Sequence, residues 1–149
     1  MKMLLLGGYG MAGLMIASYL RTIPEAELVV TVRSRAVSNR TLKALDGLQV
    51  RELDVRSFEA VQELVYEISP DVIVNAVGIL NHHAEDSPLE AYRVNGLLPH
   101  WLRHLGDSLG ARLVHISSDC VFSGERGRYV ETDEPDGRTV CARSKALGE

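Results

Sequence analysis

The chain has little of what marks a secreted, membrane-spanning or nucleic-acid-coating protein. It has two cysteines, Cys120 and Cys141, with no metal-type spacing, and they read as reduced cytosolic thiols. No apolar run approaches the length that spans a bilayer. No apolar leader or cleavage site precedes the first strand, so a cytoplasmic location is expected. A net charge of -4 argues against a nucleic-acid surface and leaves room for a local anion pocket. Repeats, linkers and low-complexity tracts are missing as well. What remains is ordinary: 149 residues, 46% hydrophobic and 24% charged, enough for one domain with a real core.

The informative stretch is MKMLLLGGYGMAG at the start. Met3 to Leu6 form an apolar run that predicts a strand buried on both faces. Gly7, Gly8, Gly10 and Gly13 follow, and LMIASYLRTI then has apolar residues at helical spacing. Strand, glycine turn and helix in this order open a dinucleotide-binding βαβ unit. Without Cβ atoms the backbone can come close to a pyrophosphate, and the helix N-terminus favours an anion. Two registers fit, Gly8-x-Gly10-x-x-Gly13 and Gly7-x-x-Gly10-x-x-Gly13. Taken alone, the pattern also suits a plain turn before a helix.

The helix runs on to Thr22, and Pro24 ends it. Glu27 to Ser34 predicts a β-branched strand, Ser38 to Leu45 a short helix, and LQVREL a weaker third strand. SFEAVQELVYEIS predicts a helix capped by Ser57, with Phe58, Val61, Leu64, Val65 and Ile68 on its apolar face. DVIVNAVG gives a fourth buried strand running into a turn of small residues, and NHHAEDSP a polar loop. Leu89 to Leu109 predicts a long helix bent near Gly96 and Pro99. ARLVHISSD is the fifth strand, CVFSGERGRYVETDEPDGRT an extended loop, and CARSKALGE the start of a helix. The alternation implies an α/β fold: a Rossmann-like, doubly wound parallel sheet of order 3-2-1-4-5 with helices on both faces. A ligand cleft is expected between strands 1 and 4.

Chemistry-bearing residues gather at the carboxyl ends of these strands. Arg33, Ser34 and Arg35 lie about twenty residues past Gly13, where an acidic residue suits the ribose of NAD and an arginine suits the 2′-phosphate of NADP. A solvated basic turn is the alternative. Asp54 is placed to accept from an adenine amino group, or is an ordinary aspartate before a helix. Ala76, Val77 and Gly78 let a cofactor lie against the backbone, or form a plain tight turn. Ser118 puts a hydroxyl on the same rim.

Together these segments resemble the extended short-chain dehydrogenase/reductase family, and within it the nucleotide-sugar reductases of the dTDP-4-dehydrorhamnose reductase kind. The resemblance rests on Gly7-x-x-Gly10-x-x-Gly13, Asp54-Val55, Pro70 to Ala76, Val94-Asn95, His115 to Gly124 and Arg143 to Glu149, and it covers essentially the whole chain. It favours the register that begins at Gly7. It implies that Gly7, Tyr9, Gly10 and Met11 line the pyrophosphate of NADP(H). Arg33 and Ser34 would face the 2′-phosphate, Asp54 and Val55 the adenine, and Ala76 to Gly78 the ribose side. Ser118 would bind the substrate carbonyl. Lys145 would hold the nicotinamide ribose and lower the pKa of a tyrosine four residues earlier, the proton donor as hydride arrives.

That tyrosine is replaced by Cys141. A thiol with an ordinary pKa of about 8.5 can release a proton, but its side chain is too short to reach the carbonyl from that position. The chain is therefore expected to be a poor reductase or none. Tyr129 or a bridging water would be the substitute. The resemblance also implies a C-terminal substrate region that the 149 residues do not include, with Lys145 frayed near the chain end. His100 and His104 have metal-compatible spacing, but no third ligand is evident and an ordinary helix surface is expected. His82-His83 reads as solvated loop or a substrate contact, and Cys120 as a small buried residue.

The leading functional expectation is an NADP(H)-dependent reductase of a dTDP-linked 4-keto-6-deoxy sugar, impaired as it stands. A non-catalytic NADP-binding or regulatory module of the same fold, and a nucleotide-sugar epimerase or dehydratase, are the alternatives. A homodimer is left open. No metal, nucleic-acid or membrane partner is expected.

Overall fold

The computed structural model describes residues 1–34 and 45–149. Arg35 and most of the predicted helix from Ser38 to Leu45 lie outside the described residues. Five strands form one parallel sheet: β1 (Lys2–Leu6), β2 (Glu27–Val32), β3 (Gln49–Glu52), β4 (Val72–Asn75) and β5 (Arg112–His115). Their order is β3-β2-β1-β4-β5, the order expected of a dinucleotide-binding doubly wound sheet. The helices are α1 (Met11–Leu20), α2 (Phe58–Ile68), α3 (His82–Asp86), α4 (Pro88–Ala91), α5 (Leu98–Leu109) and α6 (Val140–Leu147). A π-helical segment, Tyr92–Leu97, joins α4 to α5.

The described chain divides into two compact bodies. The first, Met1–Val77 with Trp101–Ile116, holds the sheet. Leu4, Leu5 and Leu6 of the central strand are fully buried, which explains a run with no polar alternation. Leu5 pairs with Val30 and Val74, and these pack with Ala17 of α1 on one face. One residue back, Leu4 pairs with Ile73, and a Cβ placed on Gly106 of α5 would lie 3.9 Å from the Ile73 side chain. Successive residues point to opposite faces, so each face of the sheet carries a helix. Ser57 caps α2 by accepting from the Ala60 N–H at 3.2 Å, and Val61, Leu64, Val65 and Ile68 are buried. Phe58 is only half-buried and stacks on Trp101.

The second body, Gly78–His100 with Ser117–Glu149, corrects several expectations. The segment read as polar loop contains α3, because Ala84 is fully buried against Ala91 and Cys141. The expected bend near Gly96 and Pro99 is the π-helical segment. Pro99 has no N–H to give the carbonyl four residues back, that of Asn95, so the α-helical ladder cannot run through this point. The fifth strand ends at His115, four residues early, because its partner β4 stops at Asn75, the residue opposite. That strand belongs to the first body, where β2 likewise ends at Val32 rather than Ser34. The last helix is not frayed. Thr139 caps it by accepting from the Ala142 N–H at 3.0 Å, and Lys145 is only 3% exposed.

Candidate functional site

In the first body, β1 delivers the chain into a turn that leaves little room for side chains. Gly7 has φ +88, and a Cβ there would stand 3.0 Å from both the Ala76 carbonyl oxygen and Val77 Cγ2. A Cβ on Gly13 would sit 2.1 Å from the Gly7 carbonyl oxygen, so α1 presses directly on the turn. The Gly10 N–H donates to Gly7 O at 3.0 Å, and the Leu14 N–H to Gly10 O at 2.9 Å. Gly7, Gly10 and Gly13 therefore form one mutually packed unit. Gly8 serves β2 instead, donating to Thr31 O at 2.8 Å. Gly10 is the N-cap of α1, no side chain caps the helix there, and its first turn has no acidic residue. A glycine-lined helix start with no side-chain cap fits a pyrophosphate. Tyr9 packs on the core, whereas Met11 is 88% exposed.

Arg33 and Ser34 follow β2, and Asp54 and Val55 follow β3. The Asp54 carboxylate is gripped by Arg56, whose Nη2 donates to Oδ2 at 2.6 Å and Nε to Oδ1 at 2.9 Å. Those bonds, with a smaller contribution from the Arg33 charge, hold the Asp54 carboxyl below its ordinary 3.8. Arg56 was not legible as a site residue; its partner lies two positions away across a turn. Asn75 ends β4 fully buried. Its Oδ1 accepts from the Val77 N–H at 3.2 Å, and its Nδ2 lies 3.1 Å from His115 Nδ1, which fixes the turn carrying Ala76 and Val77.

In the second body, Gly78 lies beside Lys145, whose Nζ is 3.1 Å from where a Gly78 Cβ would be. Burial pushes the Lys145 amine down from its ordinary 10.5, and nearby Cys141, Cys120 and Glu149 oppose this. Two residues that the sequence left without a role hold this arrangement. Asn95, 0% exposed, accepts from the Ile79 N–H and donates to Ile79 O, both at 2.8 Å. It also donates to Ser144 Oγ at 3.0 Å, and Ser144 donates to Cys141 O at 3.1 Å. Asn95 thus ties the loop after Gly78 to the helix of Lys145.

Cys141 is 6% exposed, with its sulfur 3.7 Å from that of Cys120. The Cys120 N–H donates to Ser118 Oγ at 3.3 Å, so Ser118, Cys120 and Cys141 follow one another in space. Ser118 lines a cavity of about 750 Å³ with Ser117, Asp119, Asp133 and Glu149, and Cys141 does not line it. Tyr129 is committed elsewhere. Its hydroxyl bonds Ser123 at 3.0 Å and Asp136 at 3.1 Å, and its ring stacks on Phe122. His100 Nε2 lies 2.6 Å from Leu147 O, while His104 stacks on Trp101. Among the described residues no group of three or more potential ligands gathers for a metal.

Compared with known proteins, residues 1–149 match the family described as RmlD substrate binding domain. The chain belongs to that family. Within it, 108 residues are 38% identical to a dTDP-4-dehydrorhamnose reductase of Streptomyces griseus, covering 71% of this chain and 36% of that protein. A dTDP-4-dehydrorhamnose reductase of Mycobacterium tuberculosis is 39% identical over 85 residues, 53% of this chain and 28% of that one. The crystal structure of a hypothetical dTDP-4-dehydrorhamnose reductase from Sulfolobus tokodaii superposes with TM-score 0.82 at 28% identity, covering 99% of this chain and 50% of the other. The reductase of Bacillus anthracis in complex with NADP superposes at 0.78 and 24% identity, covering 99% and 47%, which speaks for the fold. The chain spans about half the length of these solved relatives. No helix of the described residues is long and apolar enough to cross a membrane.

Proposed function

We propose that this RmlD-family chain is the dinucleotide-binding part of an NADP(H)-dependent reductase of a dTDP-linked 4-keto-6-deoxy sugar. The observation that carries the reading is the packed Gly7–Gly10–Gly13 turn opening onto a helix N-terminus that no side chain caps. In the first body, Gly7, Tyr9, Gly10, Met11 and Gly13 would hold the pyrophosphate. Arg33 and Ser34 would hold the 2′-phosphate, Asp54 and Val55 the adenine, and Ala76 and Val77 the ribose side. In the second, Gly78 would continue the ribose contacts, Lys145 would hold the nicotinamide ribose, and Ser118 would bind the substrate carbonyl. When bound, NADPH supplies the hydride.

One observation favours a second reading, a non-catalytic NADP-binding or regulatory module. Cys141 stands where the resemblance expects the proton-donating tyrosine, and its thiol faces Cys120 in a buried cluster. The Tyr129 hydroxyl bonds Ser123 and Asp136, which supports a loop-holding role for it rather than proton donation.

Fluorescence titration with NADPH and NADH tests the cofactor reading. NADPH should bind at least about tenfold tighter, and Arg33→Asp should abolish the preference. Failure to bind either nucleotide would overturn it. Adding the dTDP-linked 4-keto sugar separates the two readings. Slow NADPH oxidation, raised by Cys141→Tyr, supports the reductase; tight binding with no oxidation in either form supports the module.

A further inference from the structure

The two cysteines lie 21 positions apart in sequence, yet their sulfurs approach to 3.7 Å with no disulfide between them. Cys120 sits in a 3-10 turn (Asp119–Val121), and Cys141 is the second residue of α6. Tight packing fixes both supports. Gly137 donates its N–H to Val121 O at 2.8 Å, and a Cβ at Gly137 would stand 2.7 Å from Cys120 O and 2.5 Å from Ala142 Cβ. The sulfurs need to close by only about 1.7 Å to reach bonding distance.

We propose that Cys120 and Cys141 are a reversible dithiol–disulfide site, oxidised by small-molecule disulfides. Cys120 is half-buried and Cys141 buried, so attack begins at Cys120. Its thiolate sulfur displaces one half of the reagent, whose S–S bond breaks, and the departing thiolate takes up the proton Cys120 gave up. Cys141 then attacks the Cys120 sulfur and releases the second half as a thiol, with its own proton. The protein loses two electrons and two protons, and the reagent disulfide becomes two thiols. The new bond ties the turn that follows Ser118 to the first turn of the helix bearing Lys145. It fixes the two segments that Proposed function assigns to substrate and cofactor, while its chemistry stands independently of that assignment.

The test treats the reduced protein with oxidised glutathione and follows intact mass, free thiols and melting. The expected product has lost about 2 Da and both reactive thiols, carries no adduct, and yields a non-reduced peptide joining Cys120 to Cys141. Its Tm should rise by roughly 6–12 °C, and dithiothreitol should reverse every change. Cys141→Ala should instead stop at one stable glutathione adduct on Cys120. Cys120→Ala should leave Cys141 unmodified, which keeps the order of attack testable if the first variant folds poorly. Two thiols that survive excess reagent, a persistent adduct in the wild type, or covalent dimers would each overturn the proposal.

Discussion

Replacing Asn95 by alanine removes one side chain and strands both backbone groups of Ile79. The Ile79 N–H loses its acceptor and the Ile79 carbonyl its donor, each bond being 2.8 Å long. A buried polar group left unpaired costs about 1–3 kcal/mol. Ile79 itself is half-buried, so water can partly satisfy it, which points to a total of about 2–4 kcal/mol. Ser144 loses the donor from Asn95 but keeps its own bond to Cys141 O, and adds little. Set against a typical stability of about 5–15 kcal/mol, the loss is large. Asn95→Asp sharpens the argument. It keeps an acceptor for the Ile79 N–H but turns a carboxylate oxygen toward the Ile79 carbonyl in a fully buried place, and should cost at least as much. Urea unfolding of the three proteins measures the differences, and hydrogen exchange at the Ile79 amide reads the bond directly. An Asn95→Ala protein within about 1 kcal/mol of wild type, or an Asn95→Asp protein equal to it, would refute the reasoning.

Gly13→Ala drives a Cβ to 2.1 Å from the Gly7 carbonyl oxygen, so the turn must shift; about 1–3 kcal/mol of stability and most NADPH affinity should go, and a variant unchanged in both melting and titration would contradict the packing. Lys145→Met removes a buried amine whose pKa is depressed. At neutral pH the charged lysine is penalised in the folded state, and the penalty fades as pH rises from its lowered pKa toward the ordinary 10.5. Lys145→Met should therefore be the more stable protein near pH 7, with an advantage that shrinks in alkaline unfolding titrations; a constant difference speaks against the buried charge. Tyr129→Phe should cost only about 0.5–1.5 kcal/mol by thermal melting and leave any NADPH oxidation unchanged. Collapse of turnover in that variant would make Tyr129 the proton donor after all.

The parts legible in the sequence were those whose cause is local. An unbroken apolar run gave β1, the glycine turn gave its exit, and Ser57 with its following stripe gave α2. Alternation pointed to a parallel sheet, and the dinucleotide-binding opening to its 3-2-1-4-5 order. What stayed hidden depends on partners far along the chain. Asn95 sat in a noticed motif without a role, because its amide answers Ile79 and Ser144, sixteen and forty-nine positions away. Helix α3 hid among polar residues, since only Ala84 faces inward. The early end of β5 is set by where β4 stops, and no residue of β5 announces it. Lys145 was expected to fray from its position near the chain end, but burial of α6 decides instead. In the cofactor reading, the sequence named the strand-end residues but not Arg56, whose grip on Asp54 leaves that carboxylate a shared acceptor for any adenine.

The contact between Gly7 and the Ala76–Val77 turn couples two loops that lie far apart along the chain. With only 3.0 Å between a Gly7 Cβ position and both neighbours, the turns after β1 and β4 cannot drift independently. Asn75 prevents the second turn from giving way, because its amide pins Val77 from below. A side chain at position 7 would meet the Ala76 carbonyl as well as Val77 Cγ2, at a φ of +88 that side chains rarely adopt, so trimming Val77 alone makes no room for it. A mutational library that varies both turns together should still return glycine at position 7 among its folded members.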